Sequence, residues 1–570
     1  MNCRFQHRGY LHGFNLELSV RNRFWMGTVA LVLTMLAPRL SFAQENKGIK
    51  NHFIGSTPLK GNEPSIAFSP VNPLEGILAY NVNQVFVTND AGRTWELVVV
   101  DPKQGFYGDP VLKWSKKNVV YLAHLAKNKQ LSWPQHFDRI VFERSKDGGR
   151  TFTATDVGYK RGKMQDKPWF SIDEWTFSKY SGNIYLSYTE FDKYGSTEQS
   201  DSSRIYCAVS SNDGESFSDP VVVSDVAGDA SDDDGTAEGA NCTITPDGTV
   251  HMVWSRNDTV WYDQSKDGGR TWGKDRVLAV QFGGWNHAGL SGQMRANGMP
   301  FIASNRRGDI YVCFSSGASM VKKTDDGSGK TNKYEVDLDI FVYRSTDGGK
   351  TFSSLPGLSS AAHQYSPMIS SDPKTGEIWM CWMDRRRSQT GFFTDLYGCR
   401  ISGNKVKSLG RWSSIPSVNP GKSHFMGDYL GLNAGSSKVW AAYTAWSLSD
   451  KYPYVRMVEL DKKKNKGGGY SSIEYADILV YPTEPLTDSE AGSGKPGSKK
   501  LVLWVEWPKA KSLTIEIRQG KQVVFQNVIE NWENECMDLT LPLERFGQGV
   551  FEVNARYKGI GIKQSLYLTP

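Results

Sequence analysis

Ser145-Lys-Asp-Gly-Gly-Arg-Thr-Phe152 lies between two runs of alternating apolar residues, so it reads as a hairpin turn whose chemistry is explicit in its residue types. The Asp147 carboxylate is placed to accept backbone N–H groups, and the glycines supply positive φ. The Ser145 and Thr151 hydroxyls tie the ends, and Phe152 packs between strands. The same eight-residue pattern occurs from Thr88 to Trp95, from Ser265 to Trp272 and from Ser345 to Phe352; a fifth copy, read from Ser211 to Phe217, is one residue short. Turns repeated at intervals of roughly 55 to 80 residues imply small antiparallel sheets arranged radially, a β-propeller.

A second repeat, offset from the first, counts the blades. A polar residue, often followed by proline, precedes an apolar strand near Glu63, Asp109, Lys167, Glu238, Asn297, Ser366 and Gly427. Each start is followed by a partner strand rich in aromatics: Gly76–Tyr80, Asn118–Ala123, Asn183–Tyr188, Gly248–Trp254, Asp309–Phe314, Glu377–Trp382 and Lys438–Tyr443. The expected fold is therefore all-β, a seven-bladed β-propeller over residues 44–461, with six blades as the alternative. The segment from Asn51 to Lys60 is a candidate for the outer strand that closes the ring.

Arg21 and Arg23 precede an apolar run from Trp25 to Leu36, and Ser41-Phe42-Ala43 offers small residues for cleavage, so residues 1–43 read as a signal peptide. The run is too short to span a bilayer as a mature helix, and no second apolar stretch follows, which implies an exported chain, periplasmic or extracellular, without an integral membrane segment. Removing the leader leaves 62 basic against 60 acidic residues, a near-neutral balance that argues against general nucleic-acid binding. Residues 462–500 are rich in Gly, Ser and charge and read as a linker with a possible strand; residues 501–570 hold six short alternating strands, a small accessory β-sandwich. The six mature cysteines contain no C-x-x-C pair, which disfavours a thiolate zinc site. Cys381 and Cys399 flank a turn almost symmetrically and are candidates for a disulfide across a hairpin.

Propeller chemistry belongs where the innermost strands start and converge on the axis. Those positions carry Glu63, Asp109, Asp166 with Lys167, Glu238, Arg295, His363 with Tyr365, and Asp428 with Tyr429. Carboxylates gathered there would split in pKa, one protonated and another ionised, as glycosidic cleavage needs. The Gly-rich loop before Asn297 adds Trp285, suited to stacking on a sugar ring, and His287, suited to proton transfer. Arg385 is a candidate to clamp a carboxylate. Asp229, Asp232, Asp233 and Asp234 form an acidic run that misses the EF-hand spacing and is only a candidate for calcium; no cofactor is otherwise required.

The five turns resemble the Asp-box repeats of the sialidase-like superfamily, in which the boxes lie on the outer rim, away from the axial pocket. That resemblance implies a carbohydrate-active enzyme acting on an acidic glycan. Glu238, Asp109 and Asp428 would then be the acid/base candidates, Tyr365 or Tyr429 the nucleophile or donor, and Arg295 and Arg385 the carboxylate clamps. Glu63, Lys167, Trp285 and His363 would contact the substrate. The chain departs from the family by lacking Arg-Ile-Pro near its first blade, and familiar sialidases have six blades. Two alternatives stay open: a polysaccharide lyase or rhamnosidase-type enzyme on uronate-containing glycans, using His287, His363, Tyr365 and Arg295, and a non-catalytic glycan-binding or scaffold propeller.

Overall fold

The computed structural model describes residues 48–54, 60–287, 290, 295–317, 337–356, 358, 360, 362–388, 393–414, 416–419, 425–446 and 453–464, then 477–483, 500–506, 510–532, 536–542, 549–557 and 560–568. The leader assigned to residues 1–43 lies outside them.

The chain is all-β. Seven antiparallel sheets follow one another from Ile49 to Asp461, six of them four-stranded and one carrying an extra short strand, Ser417–Val418. Their inner strands are Ser65–Phe68, Val111–Trp114, Met164–Ile172, Glu238–Ile244, Phe301–Ser304, Gln364–Ser371 and Gly431–Ala434. The fifth and seventh start a few residues later than the sequence pattern suggests. Each inner strand packs on the next, and the seventh packs on the first, so the sheets form a closed ring. The clasp is Ile49–Phe53, which pairs antiparallel with Tyr454–Asp461 as the outermost strand of the seventh sheet, Ile49 opposite Leu460.

Radiating inner strands diverge too far to share a backbone ladder, and a buried N–H left unpaired costs roughly 1–3 kcal/mol. Polar side chains solve this. Leu112 N donates to Ser65 Oγ at 2.9 Å, Ile302 N to Asn241 Oδ1 at 3.0 Å, Phe68 N to Asn433 Oδ1 at 3.2 Å and Ala434 N to Ser370 Oγ at 3.1 Å. Farther out, apolar side chains fill the wedges between sheets, with Trp254, Trp382 and Trp440 fully buried.

The repeated turns form as their residues dictate. Asp147 Oδ1 accepts Arg150 N at 3.0 Å and Thr151 N at 2.9 Å, Oδ2 accepts the Thr151 hydroxyl at 2.6 Å, and Ser145 Oγ accepts Gly149 N at 2.8 Å. Gly149 has φ +90°, and a Cβ there would lie 2.6 Å from Ile77 Cδ1 in the preceding sheet. The closing aromatics Trp95, Phe152, Phe217, Trp272 and Phe352 pack on core shared between adjacent sheets. The third copy is not short. It starts at Ser210, whose Oγ accepts Gly214 N at 2.9 Å, and Asn212 stands where the others have Asp, its Oδ1 accepting Ser216 N at 3.1 Å.

The Cys381–Cys399 disulfide does not form. In the register Met380 faces Cys399 and Cys381 faces Gly398, one residue out of step, and both thiols are free and buried. Beyond the ring, Asp477–Thr483, inside the stretch read as a linker, pairs along its length with Lys500–Glu506, which pairs with Cys536–Pro542. A second sheet orders Gln522–Trp532, Ala510–Gln519, Gly549–Tyr557 and Ile560–Leu568. The two sheets meet where Asp477–Thr483 packs on Ile560–Leu568. Among the described residues no helix is long and apolar enough to cross a membrane.

Asp147→Ala removes four accepted hydrogen bonds from one turn, so unfolding experiments should give a loss of about 1–2 kcal/mol and a melting temperature lower by a few degrees. Asn212→Asp, which restores the carboxylate of the other copies, should cost nothing. A D147A melting point equal to wild type would show that the carboxylate does not hold the turn.

Candidate active site at the mouth of the ring

Four inner strands carry, at or near their start, a left-handed residue that is not glycine and is followed by proline: Ser366 at φ 50°, and three charged residues, Glu63 at 54°, Asp109 at 54° and Lys167 at 48°. Such backbone costs of order 1–3 kcal/mol and persists only where the surroundings over-determine it. Here it gathers the three side chains. Lys167 Nζ lies 2.5 Å from Asp428 Oδ2, 3.5 Å from Asp109 Oδ2 and 3.7 Å from Glu63 Oε1, bridging the starts of the first, second, third and seventh sheets.

Asp428 is the hub. Arg295 grips it with two nitrogens, Nε to Oδ1 at 2.8 Å and Nη2 to Oδ2, while the Asp428 N–H donates to Glu63 Oε1 at 3.0 Å. Asn81 donates from Nδ2 to Glu63 Oε2, and its Oδ1 accepts Asp109 N at 2.7 Å. Burial pushes the Asp428 carboxyl up, but the adjoining Arg295 and Lys167 cations outweigh it and hold it well below the usual carboxylate range.

Beside this hub lies a second group. Asp166, Asp232 and Glu238 each present a carboxylate oxygen within 4.8 Å of the others, close enough for one cation to touch all three, and they are the one such group of three among the described residues. Tyr194 donates its hydroxyl to Asp232 Oδ2 at 2.6 Å, and Arg295 Nη1 stands 3.5 Å from the same oxygen. Asp232 Oδ1 and both oxygens of Glu238, itself 0% exposed, are buried without a hydrogen-bond partner. Burial raises the Glu238 carboxyl well above its ordinary range, reinforced by Asp232 and Asp166; burial likewise lifts Asp166 to about 8, with Lys167 opposing. Glu63 is also raised, by burial and then by Asp109.

Several expected roles change. Arg295 is committed to Asp428 rather than open to a substrate carboxylate. Trp285 is 0% exposed, donates Nε1–H to Asp233 O at 3.1 Å and has the Arg295 guanidinium 5.6 Å from its ring centroid, so it offers no stacking face. Tyr365 sits in the core with its hydroxyl 3.0 Å from Thr394 Oγ1, and the buried Arg385 stacks over it at 5.5 Å. His287 Nε2 lies 3.2 Å from Ser315 Oγ. His363 Nδ1 accepts Leu338 N at 3.2 Å. Tyr429 borders the hub, but it is buried, edge-on to Trp169 at 5.7 Å, and burial raises its phenol further from ionisation. The four loop aspartates do not converge on one point. Asp229 Oδ1 accepts Ser231 N at 3.1 Å and the Thr236 hydroxyl at 2.9 Å, Asp234 accepts Asp258 N at 3.0 Å, and only Asp232 joins the mouth acids. Asn81 and Tyr194 have no sequence signal of the kind used above; both follow the second strand of their sheet, Gly76–Tyr80 and Ile184–Phe191, which ends beside the start of the first.

No family profile matches the chain, and no curated protein matches it. Among solved structures it is similar to a protein of unknown function from Dyadobacter fermentans, at 12% identity over 73% of this chain and 99% of that one, TM-score 0.38. It is similar to the intramolecular trans-sialidase of Ruminococcus gnavus, at 12% identity over 63% and 94%, TM-score 0.39. A third neighbour is an α-L-arabinofuranosidase of Fusarium graminearum, at 12% identity over 61% and 90%, TM-score 0.37. The neighbours thus include sialidase-like and other glycosidases, at values too low to transfer chemistry.

Two measurements test the electrostatics. Asp166 has a folded-state pKa above its unfolded value near 4, so the stability it contributes is complete below pH 4 and disappears as pH rises through about 8. Melting temperature should therefore fall between pH 5 and pH 9, and Asp166→Asn should flatten that slope. Asp428→Asn strands two buried cations and should cost roughly 3–5 kcal/mol in denaturant unfolding at pH 7. A loss under about 0.5 kcal/mol would mean the hub is not holding the mouth together.

Proposed function

We propose that the protein is a glycoside hydrolase whose reacting carboxyl groups are Glu238 and Asp232. The observation that carries this reading is that Glu238, fully buried, uses neither oxygen within the fold, whereas the neighbouring acids of the hub are bound to Lys167, Arg295 or Asn81. An acid with no structural partner beside like charges is the arrangement that keeps a proton near neutrality. Asp232 has one oxygen oriented by Tyr194 and Arg295 and the other unpartnered, as an ionised nucleophile requires.

In the first step the Glu238 proton passes to the glycosidic oxygen as Asp232 Oδ1 bonds to the anomeric carbon and the C–O bond breaks. Glu238, now ionised, then takes a proton from water as that water's oxygen displaces Asp232. Beyond burial, Asp232 and then Asp166 raise the proton affinity of Glu238. Carboxyl oxygens within 4.8 Å of one another favour this double displacement, since inversion needs about 6.5–9.5 Å to admit a water. The scheme uses no cofactor.

An acidic sugar at the cleaved bond is less well supported than a neutral one, because Arg295 is spent on Asp428 and Arg385 lies over Tyr365. Lyase chemistry has less support, because His287 Nε2 lies against Ser315 Oγ and His363 Nδ1 accepts Leu338 N. The depth of Glu238 favours, as second reading, a glycan-binding propeller without catalysis. Either activity is expected outside the cytoplasm, on the strength of the leader-like residues 1–43.

Screening neutral and acidic glycans with wild type, Glu238→Gln and Asp232→Asn tests this. Each variant should lose at least about 100-fold in kcat/KM with melting temperature preserved, and product NMR should show retained anomeric configuration. Full activity in both variants overturns the assignment; wild-type binding without cleavage, lost in both variants, favours the binder.

A further inference from the structure

A cavity of about 510 Å³ runs along the axis beyond the mouth acids, lined by the inner strands from first residues such as Ser65, Val111, Phe301 and Gly431 to their far ends. None of Glu63, Asp109, Asp166, Glu238 or Asp428 contributes to its wall. Its charged lining residues are Lys113, Lys116 and Lys374 against Glu174 alone. Among the described residues Lys113 makes no hydrogen bond and no ion pair. Glu174 accepts Lys116 N on Oε1 at 2.6 Å, and burial raises its carboxyl toward the neutral form; its attraction offsets only part of the burial that disfavours the Lys113 charge.

The uncharged lining is also one-sided. The inner-strand stitching uses up acceptors: Asn241 Oδ1 and Asn433 Oδ1 each take a neighbouring strand's N–H, at 3.0 and 3.2 Å. This fixes which end of each amide faces the backbone, so the NH₂ groups are left without a described partner. Ser171 has its own proton engaged, donating to Cys242 O at 2.6 Å. Among the lining groups, the Lys113 ammonium and the Asn241 and Asn433 NH₂ groups are donors with no described partner.

From this geometry we infer that the axial cavity is an anion-binding site, taking a compact oxyanion or carboxylate group on Lys113 with the amides of Asn241 and Asn433. Desolvation of Lys113 by burial, which lowers its pKa, is the cost that a bound anion would offset. The site is independent of the reaction proposed at the mouth. The ligand chemistry is shared by inorganic phosphate, by free polycarboxylates and by the uronate end of a glycan, and the probes separate them.

The experiment titrates wild type, Lys113→Met and Asp166→Asn with inorganic phosphate, citrate and glucuronate in a low-salt, anion-poor buffer at pH 7, by calorimetry and thermal shift. Wild type and D166N should bind at least one probe saturably, with a rise in melting temperature. K113M, relieved of an unpartnered ammonium, should melt no lower than wild type without anion and bind at least tenfold more weakly. The probe bound identifies the source: phosphate alone an inorganic oxyanion, citrate or glucuronate a carboxylate. No saturable binding of any probe by wild type, or equal binding by folded K113M, overturns the proposal. Should K113M fail to fold, Lys113→Arg must retain binding and Asn433→Leu must weaken it; the reverse result is equally fatal.

Discussion

The ring depends on one buried carboxylate. Asp428 opens the seventh sheet, yet its side chain is bonded to Lys167 at the start of the third sheet and to Arg295 ahead of the fifth, and its backbone N–H binds Glu63 at the start of the first. Sheets whose cores meet only as neighbours are thereby tied across the axis. Burying three charges is expensive, and the geometry is what makes it tolerable: two-nitrogen contact from Arg295, an ammonium from the opposite side and an amide N–H leave little of Asp428 unsatisfied. A position so fixed also fixes what surrounds it, including the distances among Asp166, Asp232 and Glu238.

That hub explains why charged residues at the mouth divide into two kinds. Lys167, Arg295, Glu63, Asp109 and Asp428 satisfy one another and act as framework. Glu238 and one oxygen of Asp232 are left over, and a leftover polar atom at 0% exposure is where a fold carries unfavourable free energy for a reason other than stability. Farther along the axis the unpartnered groups include donors, since Asn241 and Asn433 spend their amide oxygens in joining strands and Lys113 has no described hydrogen bond.

The boxes were legible in the sequence because their bonds are local: Asp147 reaches residues three and four positions on, and the residue types state the turn. The third copy is obscured for a local reason too, since Asn212 does the work of Asp and the adjacent Asp213 suggests a register one residue later. At the mouth, strand starts were legible as positions, which is why Glu63, Asp109, Lys167, Glu238 and Asp428 were named. Their partners were not. Whether Arg295 meets a substrate or Asp428, 133 residues away, is decided by the packing of the whole ring, and no spacing rule encodes it. Asn81 and Tyr194 follow second strands and so carry no strand-start signal, and the Gly-rich loop around Trp285 gives no hint that its aromatic turns inward.

The clasp between Ile49–Phe53 and Tyr454–Asp461 gives the chain an order of assembly. Its paired residues Ile49 and Leu460 are 411 positions apart, a closure that costs on the order of 5 kcal/mol in chain entropy before any contact rewards it. The first strand synthesised must therefore stay unpaired until the last sheet exists, while the edge of Tyr454–Asp461 stands open to any other extended segment. The earliest residues of the ring behave as a built-in guard strand, and a second chain arriving first with its own copy would find the same edge waiting, which makes strand exchange between copies the natural failure of this fold at high concentration.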